Sequence, residues 1–431
     1  MKWGLTSIVC VAGALVASAA YADPTTPTSS LDSSTTDTTR GTPDYNSPLN
    51  QATGEGLEAQ EPYTGIHMGG FMLYPTLEGD VTYNDNIFAA ETDTVSDEIY
   101  KVKPGLSLQS TWSVNQLNAW ANLDSEFYDH HSDQDQENYS LGTNGMLEAS
   151  YATHFYGSTE FDHLTEEFGN TNLPTNALEP TKYTDWASEL GIAQRFTRLT
   201  FHLGGTYSIL RFENTLQIGG GLLPEDLRDR NVSTEYLDAG YEFSPGYSVF
   251  TRGTVNQREY SNSSFGPRDS NGYEADVGLR AEITRLITGE AWVGYLTQDY
   301  KGFSSVNGPS FGVTGVWSAT PLLSITSNIA RTLEETDETG SSSYFASGGT
   351  LTADYRISHT VTLHLGMAYT RNDYQGIDRH ENVYGPTAGI DYSLTPRLVL
   401  GLSYIYACRD STVPDSNYSQ NQASLALKLA L

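Results

Sequence analysis

"GLRAEITRLITGEAWVGYL", residues Gly278 to Leu296, alternates with a period of two. Leu279, Ala281 and Ile283 fall on one parity, Arg280, Glu282 and Thr284 on the other. After a break at Arg285 the pattern resumes, with Ile287, Ala291, Val293 and Tyr295 on one face and Glu290 on the opposite one. Successive strand residues point to opposite sides, so this is a hairpin with one apolar and one charged face. A soluble sandwich would turn the apolar face inward. A membrane barrel would turn it outward.

The same alternation runs from Gly69 onward in segments of about 11–16 residues, without helical periodicity. The connections fall into two sets. Very short ones lie at Ser113, Ala152, Phe196, Ser244, Thr284, Ala319, Ser358 and Thr395, and their Pro, Gly and Ser suit tight turns. Longer, often acidic ones include "NDNIFAAETDTVS", "HHSDQDQ", "GNTNLPTNALEPT" and "NTLQIGGGLLPEDLRDR". Short and long alternate along the chain, which gives about eighteen strands with both termini at the short-turn end. Short turns, long loops and alternating segments of about ten residues are the pattern of a transmembrane, antiparallel, up-and-down β-barrel in the all-β class. A soluble sandwich does not predict the asymmetry of the connections.

On this reading the apolar parity faces lipid, with Leu106, Leu203, Leu365 and Leu402 as examples, and the charged parity faces the lumen. Candidate lumen selectivity residues are Glu78, Asp80, Asp124, Glu126, Glu274, Asp276, Glu282 and Glu290. Tyr83, Tyr151, Tyr207, Tyr295, Tyr369, Tyr392 and Tyr404 sit near strand ends, as interfacial girdles require. Trp120, Tyr128 and Trp292 fall inward and either fill the wall or stack on sugar rings. The final strand, "NQASLALKLAL", carries its leucines on one face up to Leu431, and closing on the first strand would remove both sheet edges.

The beginning of the chain differs. Lys2, an apolar run and Ala20-Tyr21-Ala22 form a signal peptide over residues 1–22, with cleavage expected after Ala22. Residues 23–63 are rich in Ser, Thr, Pro and Gly and are expected to be a disordered exported linker before a barrel over 64–431. Cys10 leaves with the leader, so Cys408 can form no internal disulfide in the mature chain. A net charge of -30 argues against nucleic acid, whose phosphates need basic partners.

The stretch from Thr42 to Ala90 resembles the start of the putative beta-barrel porin 2 family of Gram-negative bacteria. The match falls on Pro43, Asp44, Tyr45, Gly65, Ile66, Gly70, Phe71, Pro75, Leu77, Tyr83, Asp85, Asn86 and Ile87, and continues through Pro104, Gly105 and Trp112. About a dozen extra residues separate Asn46 from Gly65. The resemblance implies an outer-membrane barrel often associated with exopolysaccharide gene clusters. The partners expected from it are outer-membrane lipid and lipopolysaccharide, the barrel assembly machinery and a polysaccharide export system.

Several stretches carry residues that could support chemistry. Asp129-His130-His131 with Asp133 and Asp135 is the densest group of possible ligands. A catalytic or metal site needs partners from another segment, and no second Asp-His pair appears on a neighbouring loop, so a solvated charged loop is expected. His202 and His364 fall on the lumen parity, which a barrel phospholipase would not use. Gly219 to Gly221 is no phosphate loop, since no helix pattern follows. "YNDN" up to Asn86 reads as a polar loop exit rather than a cation turn. The reading is therefore a non-enzymatic pore or export channel without catalytic residues, cofactor or metal, for saccharides or other neutral or cationic solutes. The alternative is a loop-plugged structural barrel that anchors a surface assembly.

Overall fold

The computed structural model describes residues 65–173, 177–262 and 267–431. Eighteen long strands form one sheet. They are β1 (Phe71–Asn84), β2 (Asp97–Ser110), β3 (Gln116–Tyr128), β4 (Gln136–Ser150), β5 (Thr153–Thr165), β6 (Lys182–Phe196), β7 (Leu199–Phe212), β8 (Arg230–Ser244) and β9 (Tyr247–Tyr260) in the first half. The second half adds β10 (Ser270–Thr284), β11 (Ile287–Tyr300), β12 (Val306–Thr320), β13 (Leu323–Glu335), β14 (Ser343–Arg356), β15 (Val361–Tyr374), β16 (His380–Thr395), β17 (Leu398–Ser411) and β18 (Tyr418–Ala430). Each pairs antiparallel with its sequence neighbours, and β1 pairs with β18 from Thr76↔Ala430 to Asn84↔Gln422. Closure leaves none of these eighteen strands at an edge, the condition a bilayer imposes on a sheet, and a short strand, Ile66–Met68, folds back on the start of β1. The up-and-down barrel expected from the alternation is the observed fold. The leader and linker assigned to residues 1–63 lie outside the described residues.

The two parities separate as the opening hairpin requires. Across β10 and β11, Arg280 pairs with Glu290 and Leu279 with Ala291. Val293 is 61% exposed and Leu203 54%, whereas Arg280 is 8% exposed and Asp238 is fully buried. An apolar surface this continuous needs lipid against it rather than water. Outward tyrosines at the long-loop end hold asparagines on the adjacent strand: Tyr295 donates to Asn307 at 2.7 Å, Tyr369 to Asn382 at 2.9 Å and Tyr404 to Asn421 at 2.6 Å. Trp112, Tyr151, Phe196, Trp317 and Tyr392 form a second exposed ring near the short turns.

Inside, large and small residues alternate across the ladder. Trp120 lies opposite Gly142, Tyr156 opposite Gly191, Tyr236 opposite Gly204, Phe250 opposite Gly278 and Trp292 opposite Gly312. A β-carbon on any of these glycines would run into the facing ring. Each aromatic thus covers backbone that would otherwise be bare, as aromatic rescue of strand glycines does in built sheets. Trp120 and Trp292 fill the wall.

The seam is pinned by the residues that carry the family resemblance. Asp85 accepts from the backbone and side-chain amides of Asn421 in β18, at 2.7 and 2.6 Å. Asn86 donates to Ser419 O and Ala90 O, and Gln420 donates to Asn86 O. At the opposite end Trp112 meets Phe71 edge-on at 5.3 Å. "YNDN" is accordingly a polar turn whose side chains close the barrel.

Candidate functional site

The lumen wall is where charge collects. Glu78 in β1 lies opposite Lys103 on one side and Lys428 on the other, and Asp80 lies opposite Lys101. Lys101 reaches Glu126 at 2.5 Å and Lys103 reaches Asp124 at 3.2 Å. Glu78, Asp80, Lys101, Lys103, Asp391 and Lys428 line one concavity of the lumen. Four of the residues singled out from sequence therefore belong to a mixed-charge wall.

The other four lie on β10 and β11. Glu290 accepts from Arg280 Nε at 2.6 Å and Arg252 Nη2 at 3.3 Å. Both arginines also hold the fully buried Asp238, Arg280 with two nitrogens at 3.0 and 2.8 Å. Such a two-pronged pair is the strongest arrangement a guanidinium can make. Asp276 accepts from Ser310 at 2.9 Å, and Glu274 stands two residues along the same face. Glu282 lies near the short-turn end, its backbone amide bonded to Gly246 O. Arg252 and Arg280 neutralise the part of this stretch nearest Glu290.

The outer mouth was not foreseen. Two connections fold into it instead of standing out in solvent. The 166–181 loop leaves β5 and crosses to the far wall, where Arg409 of β17 donates to Gly169 O at 3.2 Å and Asn170 O at 3.4 Å. Asn372 of β15 reaches Thr171 at 3.4 Å. Phe168 packs on Phe88 at 5.1 Å and against Ala89, Ala407 and Tyr418. Glu166 is fully buried against Arg228, which also holds Glu225 at 3.0 Å and lies over the Phe212 ring at 4.0 Å.

The tip of the β13–β14 hairpin supplies the second inward element. Glu335 takes hydrogen bonds from Arg258 and Tyr260 of β9 and from Tyr300 of β11. β9 and β13 are four strands apart, and Tyr300 of β11 stands between them, 3.5 Å from Arg258 and 2.8 Å from Glu335, so the network spans the inner wall at the mouth. Arg268 donates to Thr336 O and Arg379 pairs with Glu338 and Glu381. Asn172, Arg228, Arg268, Glu335 and Thr336 line one small cavity, which is where the two inward elements meet.

Electrostatics in these loops follow from enclosure. Glu167 remains open to water but is ringed by wall; burial raises its carboxyl pKa, and Glu126 adds to the rise. Burial likewise raises Glu225 despite Arg228 beside it. For Arg228 burial works against the charge, but Glu166 outweighs it and the guanidinium is held protonated. Loop length alone could have flagged the 166–181 segment; its direction had no local signal.

The rim motif is largely exposed, but its two histidines find a partner on β2. His130 and His131 both close on Asp97, the buried first residue of β2. His202 is buried in the lumen wall, and His364 stands between Asp354 at 2.7 Å and Asp391 at 3.6 Å.

Among solved structures, the siderophore receptor PiuA from Acinetobacter baumannii matches with a TM-score of 0.47 and 11% identity, over 85% of this chain and 82% of that one. OccK9 (OpdG) from Pseudomonas aeruginosa gives 0.44 and 13%, over 84% and 98%. A BenF-like porin from Pseudomonas fluorescens Pf-5 gives 0.43 and 9%, over 83% and 99%. Likeness of this order says nothing about cargo. A search of curated proteins gives no match. The family model of putative beta-barrel porin 2 matches residues 61–431, and the chain belongs to that family.

Proposed function

We propose that the protein is an outer-membrane pore, narrowed at its outer mouth, that passes saccharides or other neutral and cationic solutes without catalysis. The observation that carries this is the closed barrel with an apolar exterior and a charged interior, crossed at one end by inward loops. At eighteen strands the wall alone cannot fill the interior, so an aqueous path depends on how those loops sit. Acids predominate among the lumen residues named above, and a wall of one dominant sign concentrates opposite charge and repels polyanions. Export after cleavage at Ala22, and partnership with lipopolysaccharide, the assembly machinery and a polysaccharide export system, belong to the same proposal. Fractionation with inner membranes or cytosol would sink it.

The competing reading is a plugged structural barrel, and the contacts of Gly169, Asn170 and Thr171 with Arg409 and Asn372 of the far wall favour it. Single-channel recording in planar bilayers separates the two. Discrete conductance steps support the pore, and a silent bilayer containing folded protein supports the plug.

A further inference from the structure

The rim motif Asp129-His130-His131, unused by the pore, converges with the first two residues of β2. His130 Nδ1 lies 3.1 Å from Asp97 Oδ1, 3.2 Å from Asp129 Oδ2 and 4.0 Å from Glu98 Oε2. One imidazole nitrogen is thus surrounded by oxygens of three carboxylates from two separate chain segments. One ligand atom from each of Asp97, Glu98 and His130 lies within 4.8 Å of the others, whereas donors held tetrahedrally at about 2.0–2.2 Å from a zinc ion stand about 3.3–3.6 Å apart, so a small inward shift would complete the set. We propose that His130, Asp97 and Glu98 form a binding site for a divalent ion of the zinc class, with Asp129 beside His130 adding negative charge.

Charge supports the assignment. Three carboxylates around one imidazole leave a negative surplus that a single imidazolium cannot cancel and a divalent ion can. A nitrogen donor among the oxygens favours zinc-like ions over calcium or magnesium, which prefer all-oxygen sets. Asp97 is fully buried and anchors the site, while His130 is 67% exposed and reachable from the outer solution. His131 is a positioning residue: its Nδ1 holds the other Asp97 oxygen at 2.7 Å, and Phe88 meets its ring edge-on at 5.7 Å. The site stands whether or not the lumen conducts.

The test uses the full mature protein in detergent, stripped with a chelator and titrated calorimetrically with zinc chloride. One equivalent per chain is expected. His130→Ala and Glu98→Gln should each weaken binding at least tenfold, and His131→Ala by about 10–100-fold, the usual effect of losing an outer-shell partner. Lowering the pH from about 7.5 to about 5.5 should weaken it too, as His130 gains its proton. His359→Ala, in a short turn at the opposite end, should bind as the parent does, and heat-modified gel mobility should show all variants folded. No zinc binding by the parent, equal loss in His359→Ala, or calcium binding with the same affinity would each overturn the assignment.

Discussion

Replacing Arg258 by Ala should loosen the outer mouth. The Arg258–Glu335 pair is buried, its side chains 5% and 4% exposed, and it joins β9 to the end of β13, at the base of the hairpin tip. Removing one partner of a buried pair costs about 3–5 kcal/mol, because the remaining charge is left desolvated. Here the lower end applies, since Glu335 keeps the hydroxyls of Tyr260 and Tyr300, the latter at 2.8 Å. About 3 kcal/mol is roughly a hundredfold in an equilibrium. The tip should therefore leave its inward position about a hundred times more often, until the open form saturates. In planar bilayers this reads as longer dwell in a higher-conductance state. The control is Lys301→Ala, which breaks a pair whose lysine is 63% exposed; such pairs contribute about 0–1 kcal/mol and conductance should not change. If Arg258→Ala conducts like Lys301→Ala, the hairpin tip is not a constriction and the account of the mouth fails.

Other outcomes follow from the same geometry. Leu203→Arg and Leu365→Arg, on the lipid face, should each destabilise the barrel by about 2–4 kcal/mol in denaturant titrations from micelles, and Thr206→Arg, on the lumen parity, far less; equal costs would reverse inside and outside. Gly366 is a poorer lumen control, because a side chain there meets Thr387. Burial raises Glu167 and Glu225, so protonation favours the inward loops. The stability they add is complete below the ordinary glutamate range, near pH 4.3, and is lost as pH rises through the raised values. Acidification should thus close the channel, and Glu167→Gln should blunt that response; a pH-independent open probability in the parent would contradict it. Current should prefer cations at low salt and lose the preference as the screening length shrinks from about 30 Å at 0.01 M to about 3 Å at 1 M. Reversal potentials should shift toward neutrality in Glu274→Gln/Glu282→Gln. Glu290→Gln should instead also destabilise, because it strips a partner from Arg252 and Arg280.

Sequence alone determined the barrel, its approximate strand number and its two faces. Side-chain direction in a strand depends on parity, which is local, and lipid outside demands the apolar parity at Leu203 as much as at Val293. The turns were legible for the same reason, since eight tight connections need only the residues within them. Tertiary structure decided everything that crosses the lumen. Arg409 meets Gly169, 240 residues away in sequence, only because closure of β1 on β18 brings the far wall within reach of the 166–181 loop. The same holds for Arg258 and Glu335, which no alternation pairs, and for Asp97, whose role at the rim depends on a loop folding back over β2. An acidic lumen could be counted from parity, but which acids Arg252 and Arg280 would cancel depended on register and reach. Loop direction is set by contacts that exist only after the barrel has closed, and such contacts leave no periodic trace in the chain.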